Sequence, residues 1–176
     1  MKPKNNPLHI AQLVGTLNAA VWLGGAVFFT FFAGPVFFDP ALEAVLPKPE
    51  DGVAARFLIN RFTAFQLSCA CIALITMCIG WRLEGGKFPR APGLLLGGIL
   101  VLIMFGMTVL APKLNALHEL KYAYYFGVKA TKAQSEAASE AFGSLHGLSQ
   151  VCNLLVLLGL VAQFILIWKA ATQRKG

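Results

Sequence analysis

Four polar side chains, His146, Ser149, Gln150 and Asn153, interrupt a run that is otherwise apolar. At about 100° per helical residue they fall within one arc of about 100°. An imidazole, a hydroxyl and two carboxamides can donate and accept hydrogen bonds without fixed charge. Such a stripe facing lipid is costly, so it must face other helices. Asn60, Arg61, Thr63, Gln66 and Ser68 belong to a second apolar run, and Thr108, Lys113 and Asn115 close a third. An antiparallel arrangement brings these groups to the depth of His146. Two readings follow. One is an outward-facing polar pocket lined by His146, Ser149, Gln150 and Asn153, with Asn60 and Arg61 opposite. The other is hydrogen bonding between helices that fixes the bundle.

Metal chemistry is the next possibility. His9, Gln12 and Thr16 form a weaker stripe in the first apolar run. His9 and His146 are the candidate ligands for haem b or copper. They start from opposite ends of the membrane, about 30 Å apart across the hydrocarbon. His118 is closer to His146 in depth but is expected to be solvated. Cys69, Cys71, Cys78 and Cys152 lie in apolar runs without a CxxC pair. Cys69 and Cys71 point about 200° apart, and Cys71 and Cys78 stand about 10.5 Å apart along one axis. With Met77, Met104 and Met107 they offer soft ligands for copper(I), but core packing is the commoner use of such residues. Trp22, in mid-span, is expected to face another helix and to seek an acceptor for its indole N–H. The chain has no phosphate-binding glycine loop, no nucleophile elbow, no HExxH and no carboxylate pair within a span. The expectation is a protein that is not an enzyme and has no cofactor.

The elements that must position these residues follow from composition. Of 176 residues, 57% are hydrophobic and 13% charged. A soluble domain carries roughly 25% charged residues, so a water-soluble enzyme and a disordered chain are both excluded. A membrane-spanning helix needs about 20 apolar residues. Stretches at 8–32, 57–81, 93–111 and 145–168 qualify. The first continues through Phe28, Phe29, Phe31 and Phe32 without a polar region, which is too long for a cleavable signal. The fold expected is an all-α, four-helix integral membrane bundle, a single domain over 1–176.

Connections and packing can also be read. The third helix is expected to continue past Pro112, kinked there. Thr131 and Gln134 have capping-box spacing, so the fourth helix should start near Lys132. Helices three and four then project as an outer hairpin that turns near 126–130. Asp51 is expected to cap the second helix. Gly93/Gly97, Gly15/Ala19 and Ala20/Gly24 have the spacing that lets helices approach closely, inside the bundle or in a homo-oligomer.

Lys2, Lys4, Arg82, Lys87, Arg90, Lys169, Arg174 and Lys175 share one face with a single acid, Glu84. On the other face, basic and acidic residues balance. Both termini are therefore expected to be cytoplasmic, in a plasma or bacterial inner membrane. The net charge of +7 is read as topology, with no nucleic-acid partner. The partners expected are the lipid bilayer and a small molecule or ion.

His9, Trp22 and the Phe-rich run ending in Gly34 resemble the start of the transmembrane protein 205-like family. The stretch Phe142-x3-His146-Gly147-Leu148-Ser149-x2-Cys152-Asn153-Leu154 is similar to that family's most distinctive segment, and Pro112 followed by a polar helix also fits. The resemblance covers nearly the whole chain and implies no settled biochemical activity. The family is distantly similar to the copper resistance protein D superfamily, whose members include haem-binding membrane oxidases. That link implies a haem ligand at His9. The expected function is binding or movement of a small ligand or ion at the outward pocket, with a role in transport or resistance. The alternative is a haem- or copper-binding membrane redox protein.

Overall fold

The computed structural model describes residues 7–85 and 88–173. Lys2, Lys4, Lys87, Arg174 and Lys175, used above for orientation, lie outside them. The first helix, α1 (Pro7–Phe28), runs through a π-helical turn at Phe29–Ala33 into a 3-10 turn at Pro35–Phe38. A short helix α2 (Pro40–Val45) follows, then α3 (Glu50–Glu84). Next come α4 (Arg90–Phe105), a second π-helical turn at Gly106–Leu110, α5 (Ala111–Lys121) and α6 (Lys132–Gln173). Four helical stretches, Pro7–Phe38, Glu50–Glu84, Arg90–Lys121 and Lys132–Ala170, are long and apolar enough to cross a membrane. The protein is an all-helical, multi-pass integral membrane protein, as its composition requires.

Both π-helical turns precede a proline by one residue. A proline inside a helix has no N–H for the carbonyl four residues back, and its ring collides with that carbonyl. One extra residue in the turn moves the carbonyl aside, so the helix continues. The amide of Gly34 accordingly reaches back to Phe29 O at 2.8 Å, and that of Ala111 to Gly106 O. The third helix therefore passes Pro112 as expected, but a widened turn absorbs the proline.

At about 1.5 Å per residue, the 42 residues of α6 extend about 63 Å, twice the hydrocarbon thickness of about 30 Å. Its first turns pack against α5 as the projecting hairpin. The capping box forms: Thr131 N donates to Gln134 Oε1 at 2.8 Å, and Gln134 N to Thr131 Oγ1 at 3.3 Å. Gly127, at φ 65°, supplies the left-handed turn that a side chain would resist. Asp51 does not cap α3. The cap position is Pro49, and the Asp51 carboxylate accepts from the adjacent Gly52 N–H. Asp51 already lies within the first turn, where a carboxylate still complements the helix dipole.

The core joins Trp22 and small residues of α1 and α3 to branched aliphatic side chains of α4 and α6. Trp22 and Ala26 meet Cys69, Ala70 and Ala73 on one side and Leu96, Ile99, Ile103, Val156, Leu157 and Leu160 on the other. Trp22 faces other helices as expected, but its buried indole N–H has no acceptor among the described residues. Close approach between helices falls at Gly15 of the predicted motifs and at two glycines outside them. A Cβ on Gly25 would strike the Phe65 ring at 2.6 Å, and one on Gly159 would meet Ile99 at 2.9 Å. Of the motif glycines only Gly15 has a near neighbour on another helix, Thr76, whereas Gly24 and Gly97 have open space. Leu17, Val21, Leu94, Val101 and Leu158 are exposed on the outer faces, where lipid covers them.

Candidate functional site

A cavity opens at each end of the bundle. The larger, about 360 Å³, lies at the hairpin end. The strand of chain around α2 contributes Phe37, Phe38, Glu43 and Lys48. From α3 come Gly52, Arg56 and Asn60, and from α6 Phe142 and His146, each set spaced by four residues. From α5 come Ala111, Leu114, Asn115, His118 and Lys121. Residues three and four apart share a helix face, so each helix presents one stripe to the cavity.

The two histidines are held by aromatic rings. His146 lies nearly parallel to Phe142, with centroids 5.8 Å apart and an 8° interplanar angle, and Phe38 stands 6.0 Å away. His118 packs edge-on to Tyr122 at 5.1 Å and to Phe126 at 5.7 Å, with Phe142 at 5.9 Å. Phe142 thus borders both imidazoles. Gly52 has no Cβ, and that gives the His118 ring its place, since a methyl there would overlap the imidazole. The expectation of a solvated His118 is corrected: the residue is half-buried in the cavity wall.

The charges around this cavity are mostly paired. Lys48 Nζ meets Glu43 at 3.0 Å, and that carboxylate raises the lysine pKa through its hydrogen bond and charge. Arg56 meets Glu119 at 3.6 Å. Lys121 has no carboxylate within 4.0 Å among the described residues; its ammonium lies 5.2 Å from the Tyr122 ring centroid and 5.5 Å from that of Phe142. Such cation–π contacts stabilise a charge without neutralising it. Burial pushes the Tyr122 phenol above its ordinary value. The Tyr125 hydroxyl donates to Glu50 at 3.0 Å, which ties the hairpin turn to the start of α3 and raises the phenol pKa.

The predicted stripe divides. His146 and Asn60 line the cavity; Ser149, Gln150, Asn153 and Arg61 do not. Asn153 donates across the bundle to Thr30 Oγ1 at 2.9 Å, so it ties α6 to the end of α1. Ser149 closes on its own helix, donating to His146 O at 2.7 Å. Gln150 Nε2 sits 3.2 Å from His146 Nε2. Arg61 is one residue on from Asn60, about 100° around the helix, and is exposed. Thr63, Ser68 and Thr108 each donate to the carbonyl four residues back, which satisfies them within their own helices. The other polar lining groups, Glu43, Lys48, Asp51, Arg56, Asn115, His118, Lys121 and Tyr122, lie before the second predicted span or beyond Pro112, outside the four predicted spans.

The smaller cavity, about 200 Å³, lies at the end carrying the α3–α4 connection. It takes Gln12 and Thr16 of the second predicted stripe, but not His9, which is exposed. His9 and His146 are thus kept apart, as their depths require. Among the described residues no group of three or more His, Cys, Asp or Glu is placed to hold a metal ion. All four cysteines are free. Cys69 is buried, and its carbonyl accepts from Asn18 Nδ2 at 2.9 Å; Cys71 and Cys78 are exposed.

No curated protein and no solved structure matches the chain. Residues 17–123 match the family described as Domain of unknown function (DUF4149). The match runs from the middle of α1 to the hairpin turn, so it includes Gly52, Asn60, His118 and Lys121 and leaves His146 outside. The chain belongs to the DUF4149 family.

Proposed function

We propose that this protein holds a small amphipathic ligand or ion in the hairpin-end cavity, without catalysing a reaction. The observation that supports this is the lining itself. Lys121, which has no carboxylate within 4.0 Å among the described residues, lies among Phe37, Phe38, Tyr122 and Phe142, with Asp51, amides from Asn60 and Asn115 and two imidazoles within the same walls. Small-molecule sites combine apolar walls with a few polar groups that fix orientation in this way. The ligand class that suits it has an apolar body and an anionic or acceptor-rich end. On this reading the hairpin end faces outward and both termini are cytoplasmic, because Arg82, Arg90 and Lys169 gather at the other end. A place in the plasma or bacterial inner membrane, and a role in transport or resistance, would suit a site reached from outside.

Native mass spectrometry of the protein purified in mild detergent tests the proposal. The wild type should carry a small bound mass that Ala55→Trp, which fills the cavity, releases. Identical spectra for the two would remove the proposal. The second reading, a haem b- or copper-binding redox protein akin to the copper resistance protein D superfamily through the transmembrane protein 205-like family, predicts a stoichiometric Soret band or bound copper. His9 and His146 would have to act singly, since they lie at opposite ends. A visible spectrum with and without reductant separates the two readings.

A further inference from the structure

The cavity at the opposite end has a different chemistry, and it shares no lining residue with the hairpin-end cavity. Gln163 stands in the last predicted span, five residues before its end at position 168, and is only 5% exposed. It lines this cavity, and its Oε1 has no hydrogen-bond partner among the described residues. A buried acceptor left unmet in the membrane is costly unless something supplies it with a proton. Thr16 and Thr76 line the same space. Each already donates its hydroxyl proton to a backbone carbonyl, Thr16 to Gln12 O and Thr76 to Ile72 O, both at 2.9 Å. What they have left to offer is oxygen lone pairs. Glu84 and the Trp81 indole complete the wall, and among the described residues no Lys, Arg or His lines it.

We propose that this cavity is a binding site for a small organic cation, a primary ammonium on an apolar body. An ammonium has three donors and no acceptor. It would supply the missing proton to Gln163 Oε1 and engage the threonine oxygens, while its body lies against Met77 and the Trp81 ring. Neutral alcohols could make only part of this pattern, and a carboxylate could not supply the missing proton to Gln163 Oε1 or engage the threonine lone pairs.

The test uses 2-phenylethylamine as probe, with 2-phenylethanol and 3-phenylpropanoate as comparators, titrated calorimetrically against the full chain in detergent micelles at neutral pH. The amine should bind saturably, and the alcohol and carboxylate about tenfold or more weakly. Gln163→Leu should weaken the amine about tenfold without lowering the unfolding temperature, because it removes an unmet buried group. Gln163→Glu should tighten it. Thr76→Val, which keeps the shape of the side chain, should weaken it several-fold and decides the matter if Gln163→Leu fails to fold. No saturable amine binding, equal binding of amine and alcohol, or an unchanged affinity in the variant that folds would overturn the proposal.

Discussion

The place of His118 can be tested through the glycine that makes room for it. Gly52 lies in the first turns of α3, and the nearest atoms to a Cβ built there are all on the His118 imidazole. The ring cannot simply swing away, since Tyr122, Phe126 and Phe142 surround it. Two effects therefore compete in Gly52→Ala. Alanine favours the helix by about 0.5–1 kcal/mol relative to glycine, while overpacking costs about 1–3 kcal/mol. The variant should be less stable than the wild type by about 1 kcal/mol, taking mid-range values. In a His118→Ala background the clash disappears, and the same substitution should stabilise by about 0.5–1 kcal/mol. The coupling energy between the two sites is then the overpacking cost itself, about 1–3 kcal/mol. Unfolding in detergent, followed by a thiol-reactive dye that labels buried Cys69 on opening, measures all four members of the cycle. A coupling near zero, or a Gly52→Ala variant stabilised equally in both backgrounds, would show that His118 does not occupy the cavity wall, and the site would lose α5.

Other consequences follow from single contacts. Lys121→Met should release the bound mass seen by native mass spectrometry while Lys121→Arg retains it, since Arg keeps both the charge and the aromatic contact. A double-mutant cycle on Asn153→Leu and Thr30→Val, measured by the same unfolding assay, should give a coupling of about 0.6 kcal/mol, the usual scale for hydrogen bonds between membrane helices; none would mean that the bond to Thr30 does not form. Gly97→Ala should stabilise the chain by about 0.5–1 kcal/mol, because a Cβ there has open space; if it instead dissociates a cross-linkable dimer, that face joins two copies. The tie between Tyr125 and Glu50 should be pH-dependent. Its phenol pKa is raised in the fold, so its contribution is complete below the unfolded value of about 10 and is lost as pH rises through the higher folded value. Hydrogen exchange in the hairpin turn, compared between pH 8.5 and 11 after correction for intrinsic rates, should rise in the wild type and change less in Tyr125→Phe.

What could be read from the sequence, and what could not, divides along a physical line. Span number, the capping box at Thr131 and the passage of a helix through Pro112 each depend on composition or on neighbours within four residues, and all three appear in the fold. The stripe from His146 to Asn153 was legible as a face. A face alone does not say which member meets a void and which meets another helix: Asn153 finds Thr30, 123 positions away in the chain. His118 was misjudged because its burial depends on an absent atom, the Cβ of Gly52, and on Phe142 from another helix. The small-residue motifs held only in part, for a related reason: Gly15 faces Thr76 and Ala19 is buried, but the others do not mark a close approach between helices. Gly24 and Gly97 fit the pattern, but close approach requires a large partner opposite, and Phe65 and Ile99 stand opposite Gly25 and Gly159 instead. Gln163 is an isolated amide in the sequence, and its significance lies in an oxygen left without a donor among the described residues.

The two cavities also limit what movement of a ligand would require. Between them lies the core around Trp22, Leu96 and Ile99, the largest side chains that are fully buried. A solute held at the hairpin end therefore meets a packed layer before it reaches Gln163. Opening that layer means separating α1 from α3, which touch where Gly15 faces Thr76 and Gly25 faces Phe65. Close contacts of this kind favour discrete rearrangement of whole helices over gradual widening. The widened turns at Phe29–Ala33 and Gly106–Leu110 are where such a rearrangement would cost least, because the regular backbone ladder is already interrupted there. If the protein moves its ligand, restoring regular helix by Pro35→Ala and Pro112→Ala should slow transport and leave binding at the hairpin-end cavity intact. If it only binds, the same pair of substitutions should change neither.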